Sequence, residues 1–158
     1  MEKIHIPQKA IELNATWIDS LETCLAEHGD QDLIKAVMKA AGEKCSVQIF
    51  DDCRQIIGKN PESVDELLSA MNQRRSQIHN LTSLWEKQGN TANLILDECN
   101  CTLVKAGLAR PNPTHCLCSQ GMMESLFSKV HSGTVNVELV QSIGNGHDVC
   151  EFFVTFLE

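Results

Sequence analysis

The segment from Thr134 to Glu158, "TVNVELVQSIGNGHDVCEFFVTFLE", constrains the fold more than any other part of the chain. Its first run sets Val135, Val137 and Leu139 on one side and Asn136, Glu138 and Ser142 on the other. Its second run sets Cys150, Phe152, Val154 and Phe156 on a single apolar side. A period of two is the mark of a half-buried strand. Between the runs, Gly144-Asn145-Gly146-His147-Asp148 is rich in residues that tolerate a positive φ. The segment reads as an antiparallel hairpin with one very apolar face, and such a face must be covered by another layer.

The first half of the chain supplies that layer as helices. Ile11, Ile18, Leu21 and Leu25, joined by Trp17 and Cys24, recur at helical spacing until His28-Gly29-Asp30 ends the run. Asp30 can cap a second helix whose stripe is Leu33, Ile34, Val37, Met38 and Ala41, and the period continues through Cys45, Ile49, Cys53 and Ile56 or Ile57. Gly42 lies between these halves, so the stretch is one long helix or two. A third helix is expected to start with Asn60 as N-cap and Pro61 at its first position, followed by Val64, Leu67, Leu68 and Met71. Residues 75–91 are ambiguous: Ile78, Leu81, Leu84 and Trp85 are weakly helical before "KQGN" breaks the pattern. "ANLILDECN" then reads as a short strand, and Ser119 as the cap of a helix with Met122, Met123, Leu126, Phe127 and Val130 on its apolar face, ending near Ser132-Gly133. The expectation is one α+β domain over residues 1–158, with a mainly helical half (1–90) packed on a small antiparallel sheet carried by a β–loop–α–β–β half (91–158).

Composition narrows the function. A net charge of −8 argues against a general nucleic-acid binder or an anionic-membrane binder, because both must neutralise phosphates. No apolar run approaches the roughly 20 residues of a membrane span, and "MEKIHIPQKA" lacks the apolar region of a signal peptide. The expected location is cytoplasmic, where the eight cysteines would be thiols, metal ligands or catalytic groups rather than staples. The Asn14, Asn80 and Asn100 sequons are read as chance matches.

The chemistry concentrates in "CNCTLVKAGLARPNPTHCLCSQG", where Cys99/Cys101 and Cys116/Cys118 bracket a proline-bearing loop. On extended backbone, the two thiols of a CxC pair project to one side. Four such thiols could therefore gather around a zinc ion, although structural zinc sites more often space their ligands as C-x₂₋₄-C. A disulfide within a CxC would be strained and easily reduced, which points to transient oxidation. A nucleophile is the third reading: Cys118 precedes the expected cap Ser119, His115 is a nearby base, and Cys116 or Cys118 would attack. The bland reading is packing, since free cysteine behaves as a small hydrophobe. It is the expected role of Cys24, Cys45, Cys53 and Cys150.

The order "CNC", "PTHCLCSQG", an amphipathic helix, "VNVELVQSI" and "GHDVCEFFV" resembles a family of small prokaryotic proteins with no settled activity. "AGEKC" looks like that family's "CGxxC" helix motif, with Ala41 in place of the first cysteine. More distantly, the ending Gly146 to Val154 is similar to four-vinyl-reductase domains of the ligand-binding fold found in nitric-oxide signalling and Golgi transport proteins. Some of those hold zinc with cysteines before the helix and on the last hairpin, plus a glutamate. The resemblance puts Cys116 and Cys150 at two of those ligand positions, but Leu139 and Ser142 where the glutamate and another cysteine would be. Glu138 is one residue out of register. The same ending also resembles the 2-amino-thiazoline-4-carboxylate hydrolase family.

Together these features lead to the expectation of a binding domain that encloses a small apolar or mixed ligand between helices and sheet, with the CxC loop as one wall. The alternative expectation is a cysteine-dependent or metal-assisted hydrolase of a small heterocycle or amide, and a third is a homodimeric scaffold. A zinc cofactor would draw on Cys99, Cys101, Cys116, Cys118 and Cys150.

Overall fold

A computed structural model describes residues 6–78 and 83–158. Three helices come first: α1 (Gln8–His28), α2 (Gln31–Ile57) and α3 (Val64–Gln73), the last running into a wider π turn at Arg74–Ile78. Strands β1 (Glu86–Gln88) and β2 (Thr91–Leu96), the short helix α4 (Thr102–Lys105) and helix α5 (Pro113–Phe127) follow. Strand β3 (Thr134–Gln141), a 3₁₀ turn at Ile143–Asn145 and strand β4 (Cys150–Leu157) complete the chain. The class is α+β, as the sequence implied. Among the described residues, no helix is long and apolar enough to cross a membrane.

The sheet is antiparallel in the order β1-β2-β4-β3, so the two last strands form the expected hairpin, with Val137 opposite Val154 and Leu139 opposite Phe152. Cys150, Phe152, Val154 and Phe156 are all buried, and Ala92, Leu94 and Leu96 of β2 join them on the same layer. A register shift between Leu139 and Gln141 ends the simple alternation. Ser142, expected on the polar face, is fully buried as a result.

Three boundaries differ from expectation. Helix α3 starts at Val64 rather than Pro61, because Ser63 caps it by accepting a hydrogen bond from the Glu66 backbone at 3.2 Å. "KQGN" is a hairpin turn between β1 and β2, with Gly89 at φ +60°, and β1 itself went unrecognised because its three residues are exposed and polar. Most consequentially, α5 starts at Pro113, with Asn112 as its cap, and ends at Phe127. The pair Cys116/Cys118 therefore lies inside a helix and Ser119 caps nothing there. Leu81 and the Asn80 sequon fall outside the described residues.

Helix α2 is continuous through Gly42, and the reason is its crossing with α5. A Cβ at Gly42 would stand 2.0 Å from the Cys118 carbonyl oxygen, and one at Gly121 would stand 2.5 Å from Lys39 Cα. The backbones meet there, and Ser46 Oγ bonds Ser125 Oγ at 2.9 Å one turn further on. The buried line of α2 is thus Ile34, Met38, Gly42, Ser46 and Cys53, while Leu33 and Val37 are exposed. Cys53 packs as expected, but Cys24 and Cys45 are exposed. The buried core lies between α2, α3, α5 and the sheet, with Phe127, Leu126, Leu67 and Val154 at its centre.

Candidate functional site

The α5 cap builds the site. Asn112 Oδ1 accepts a hydrogen bond from the His115 backbone at 2.8 Å, and Asn112 Nδ2 donates to Glu22 Oε2 of α1 at 2.7 Å. The other oxygen, Glu22 Oε1, lies 2.6 Å from His115 Nδ1. The opposite ring nitrogen, His115 Nε2, lies 3.4 Å from Cys101 Sγ. One asparagine thus sets the helix start and the carboxylate that orients the ring. Cys101, His115 and Glu22 form a line from thiol to base to acid, the arrangement that activates a cysteine. Glu22 and His115 are both buried.

Their electrostatics are coupled. Hydrogen bonds donated to Cys101 and then to Glu22 push His115 up from 6.5 to about 10, against the opposing effect of burial. Burial alone would raise the Cys101 thiol, but the His115 bond and the backbone N–H groups of Val104 and Leu103 outweigh it, leaving it below its ordinary 9.0. Both shifts favour the thiolate–imidazolium form of the pair over the neutral one. Burial pushes Cys118 in the opposite direction, to about 12, and raises Cys99, Cys116 and Cys150 as well.

The pH dependence of stability follows from these directions. The raised His115 contributes stability that is fully present below 6.5, where the unfolded histidine is protonated too, and that is lost as pH rises towards about 10. The lowered Cys101 contributes in the opposite sense, present above 9.0 and lost as pH falls through its native value. Above 9.0 the unfolded cysteine has lost its proton while native His115 keeps its own, and the contribution drops away towards about 10. Urea midpoints of wild type should fall between pH 9.0 and about 10. Glu22→Gln should move this fall to lower pH, whereas a purely packing role for Glu22 would lower the midpoint equally at every pH.

A cavity of about 330 Å³ opens beneath this line, walled by α2, α5 and the sheet. Cys99, Cys101, His115, Cys116 and Cys118 border it, as do Cys45 and Cys150, so the CxC segment is a wall of the cavity. Its interior is largely Met71, Met122, Met123, Leu94, Leu96, Leu139 and Phe152. Trp85 and Arg75 also line it, and Trp85 Nε1 and Arg75 Nη2 are buried with no hydrogen-bond partner among the described residues. Arg75 is only 9% exposed. Burial and the neighbouring Arg74 pull its guanidinium below its ordinary value.

The sequence-derived candidates separate here. His115 is central, but it addresses Cys101 rather than Cys116 or Cys118. Because α5 begins at Pro113, Cys116 and Cys118 are two residues apart on a helix, about 200° around its axis, and do not project together. Cys118 is not at a helix start, so the expected dipole effect on it is absent. Cys116 is enclosed by the turn after β3, where a Cβ on Gly144 would lie 2.5 Å from its Sγ. Cys150 Sγ accepts a hydrogen bond from the Ile143 backbone at 3.4 Å. Among the described residues, no group of three or more His, Cys, Asp or Glu side chains is arranged to hold a metal ion.

Three participants were missed at the level of sequence. Glu22 carried a usable signal: Ile11, Ala15, Ile18 and Leu25 face inward with it, so a carboxylate sits at a core position of an amphipathic helix. Asn112-Pro113 is itself a helix-start signal, read instead as loop. Arg75 carried none, because its burial depends on the irregular turn after α3.

The folds of two solved proteins are similar to this one. A trafficking protein particle complex subunit 3 from Naegleria fowleri, covalently bound to palmitic acid, has a TM-score of 0.58 at 15% identity, over 96% of this chain and 98% of its own. The phenol-responsive sensory domain of the transcription activator PoxR, with phenol, has a TM-score of 0.55 at 15% identity, over 98% of this chain and 76% of its own. The likeness is one of fold. No curated protein matches the sequence. A family model does, over residues 4–158, described as "Family of unknown function (DUF6144)".

Proposed function

The chain belongs to DUF6144, a family of unknown function, and we propose that it is a binding domain for a small molecule with an apolar body and one anionic, hydrogen-bond-accepting end. The observation that carries this reading is the cavity of about 330 Å³, largely apolar yet lined by two residues with unpaired buried donors, Arg75 and Trp85. That volume is at the lower end of the range of small-molecule sites, and a few polar groups in an apolar lining are what fix a ligand's orientation. Arg75 Nε donates to the Ser83 carbonyl at 2.6 Å, but its buried Nη2 has no partner among the described residues, a cost in free energy that a bound carboxylate or phenolate offsets. Phenol and palmitic acid, named with the two solved proteins of similar fold, are both apolar bodies with one oxygen-bearing end.

Trp85 provides the readout. In a Trp17→Phe background, Trp85 is the one tryptophan left, and saturable binding of decanoate should change its emission. Arg75→Met should weaken decanoate about tenfold or more, the worth of a charge-assisted hydrogen bond. Decanol should bind more weakly than decanoate. Equal affinity for the two, unaffected by Arg75→Met, would remove the anionic end from the proposal, and no saturable binding of either would remove the proposal itself.

Cysteine-dependent hydrolysis of a small heterocycle or amide is a second reading. The Cys101–His115–Glu22 line favours it, with Cys101 in the role first given to Cys116 or Cys118.

A further inference from the structure

We propose that Cys101 is a nucleophile that takes an acyl group from a carboxylic thioester, its hydrocarbon chain lying in the cavity, with His115 moving the proton and Glu22 holding the ring. The inference rests on the cavity reading for where the chain lies. It rests on separate geometry for where the bond forms.

Three observations converge on it. Cys101 and His115 both border the cavity, so an electrophile whose tail occupies the apolar interior places its head beside Sγ. The distances of 3.4 Å from Sγ to Nε2 and 2.6 Å from Nδ1 to Glu22 Oε1 are those of a nucleophile, a base and an orienting acid. Glu22 does no other evident work for the core: it is a buried carboxylate committed to His115 and Asn112. The cavity also has length. His115 and Met123 are both on its wall, eight positions apart on α5 and therefore about 12 Å along the axis. An acyl chain fits such a shape better than a compact heterocycle.

The step balances without a co-reactant beyond the thioester. Sγ bonds to the carbonyl carbon while the carbonyl electron pair moves to oxygen. When that pair returns, the carbon–sulfur bond to the leaving group breaks, and the departing thiolate takes the proton from His115 Nε2. The products are an S-acyl Cys101 and a free thiol, with neutral His115 still donating from Nδ1 to Glu22. Nothing is oxidised or reduced.

The test uses the full chain and a small probe, the N-acetylcysteamine thioester of decanoic acid. Release of N-acetylcysteamine is followed by chromatography, and acid-quenched protein is digested and mapped by mass spectrometry. The expected result is an initial release of about one equivalent with the decanoyl group on Cys101, whether or not turnover follows. Cys101→Ser should abolish both, and His115→Gln should slow release about a hundredfold. Cys24→Ser, at an exposed cysteine that does not line the cavity, should leave release unchanged. Peptide mapping of the wild-type protein answers the question even where a variant fails to fold. A decanoyl group on Cys99, Cys116 or Cys118, or no release at all, overturns the proposal, as does a His115→Gln rate equal to wild type. A second probe, the mono-thioester of decanedioic acid, separates this inference from the binding reading. If it reacts no faster than the decanoyl probe while Cys101 is still acylated, the anionic end at Arg75 is lost and the nucleophile stands.

Discussion

Phe127→Ala should lower the free energy of unfolding by about 3–5 kcal/mol, the range for deleting a buried aromatic ring, measured from urea transitions monitored by circular dichroism. The ring is fully buried at the C-terminal end of α5. It stands edge-to-face with Trp85 at 5.5 Å and 88°, and with Phe156 at 5.3 Å and 78°. Such pairs add about 0.5–1.5 kcal/mol each to the burial itself. Three elements would lose contact at once: α5, the segment leading into β1, and β4. Against a typical total of roughly 5–15 kcal/mol, the variant would be left marginal. Because Trp85 also lines the cavity, its emission should shift in the folded variant as well. A loss under about 1 kcal/mol would mean that the aromatic cluster does not hold helix and sheet together.

Gly42→Ala is the second large effect, and it connects stability to the site. The added methyl meets backbone on α5, the Cys118 oxygen at 2.0 Å and the Met122 nitrogen at 2.6 Å, rather than a side chain able to swing away. The helices must separate, at a cost of about 1–3 kcal/mol or more. Since α5 carries His115 and α4 carries the segment after Cys101, a shift of α5 also lengthens the Sγ–Nε2 contact. Iodoacetamide alkylation of Cys101 at pH 7 should slow in folded Gly42→Ala, with the urea midpoint lowered in parallel. Gly121→Ala should behave alike, because its methyl meets Lys39 Cα at 2.5 Å. An unchanged midpoint in both would contradict the close crossing.

What could be read in advance follows from which signals are local. The β3–β4 hairpin was legible because a period of two and a turn of Gly and Asn are properties of neighbouring residues, and Cys150, Phe152, Val154 and Phe156 are buried as that pattern requires. The helices of the first half were legible for the same reason. Their inward faces were less so: Trp17 and Leu21 are exposed, because α1 shows the molecule a side that includes Asn14, Asp19 and Glu22. The site was half legible. His115 and a cysteine-bearing wall were identified, yet the partner thiol depended on one helix boundary. Placing the cap at Ser119 instead of Asn112 turned Cys116 and Cys118 into loop residues and hid Cys101, whose pairing with His115 spans fourteen positions. Contacts from Glu22 to His115 span ninety-three. No local pattern encodes them.

Helix α1 has a bearing on how such a site is inherited. None of its residues belongs to the central cluster, and beside the inward Ile11, Ala15, Ile18 and Leu25 it is tied to the rest by polar contacts: Glu22 to His115 and Asn112, Asn14 to the Leu108 carbonyl, and Asp19 to Arg110 and Asn112. Cys101, just before α4, and His115, in the first turn of α5, instead both border the cavity. The orienting acid and the thiol–imidazole pair therefore come from separate layers of the molecule. A substitution confined to α1 can remove the carboxylate that holds the imidazole while leaving every residue that lines the cavity in place.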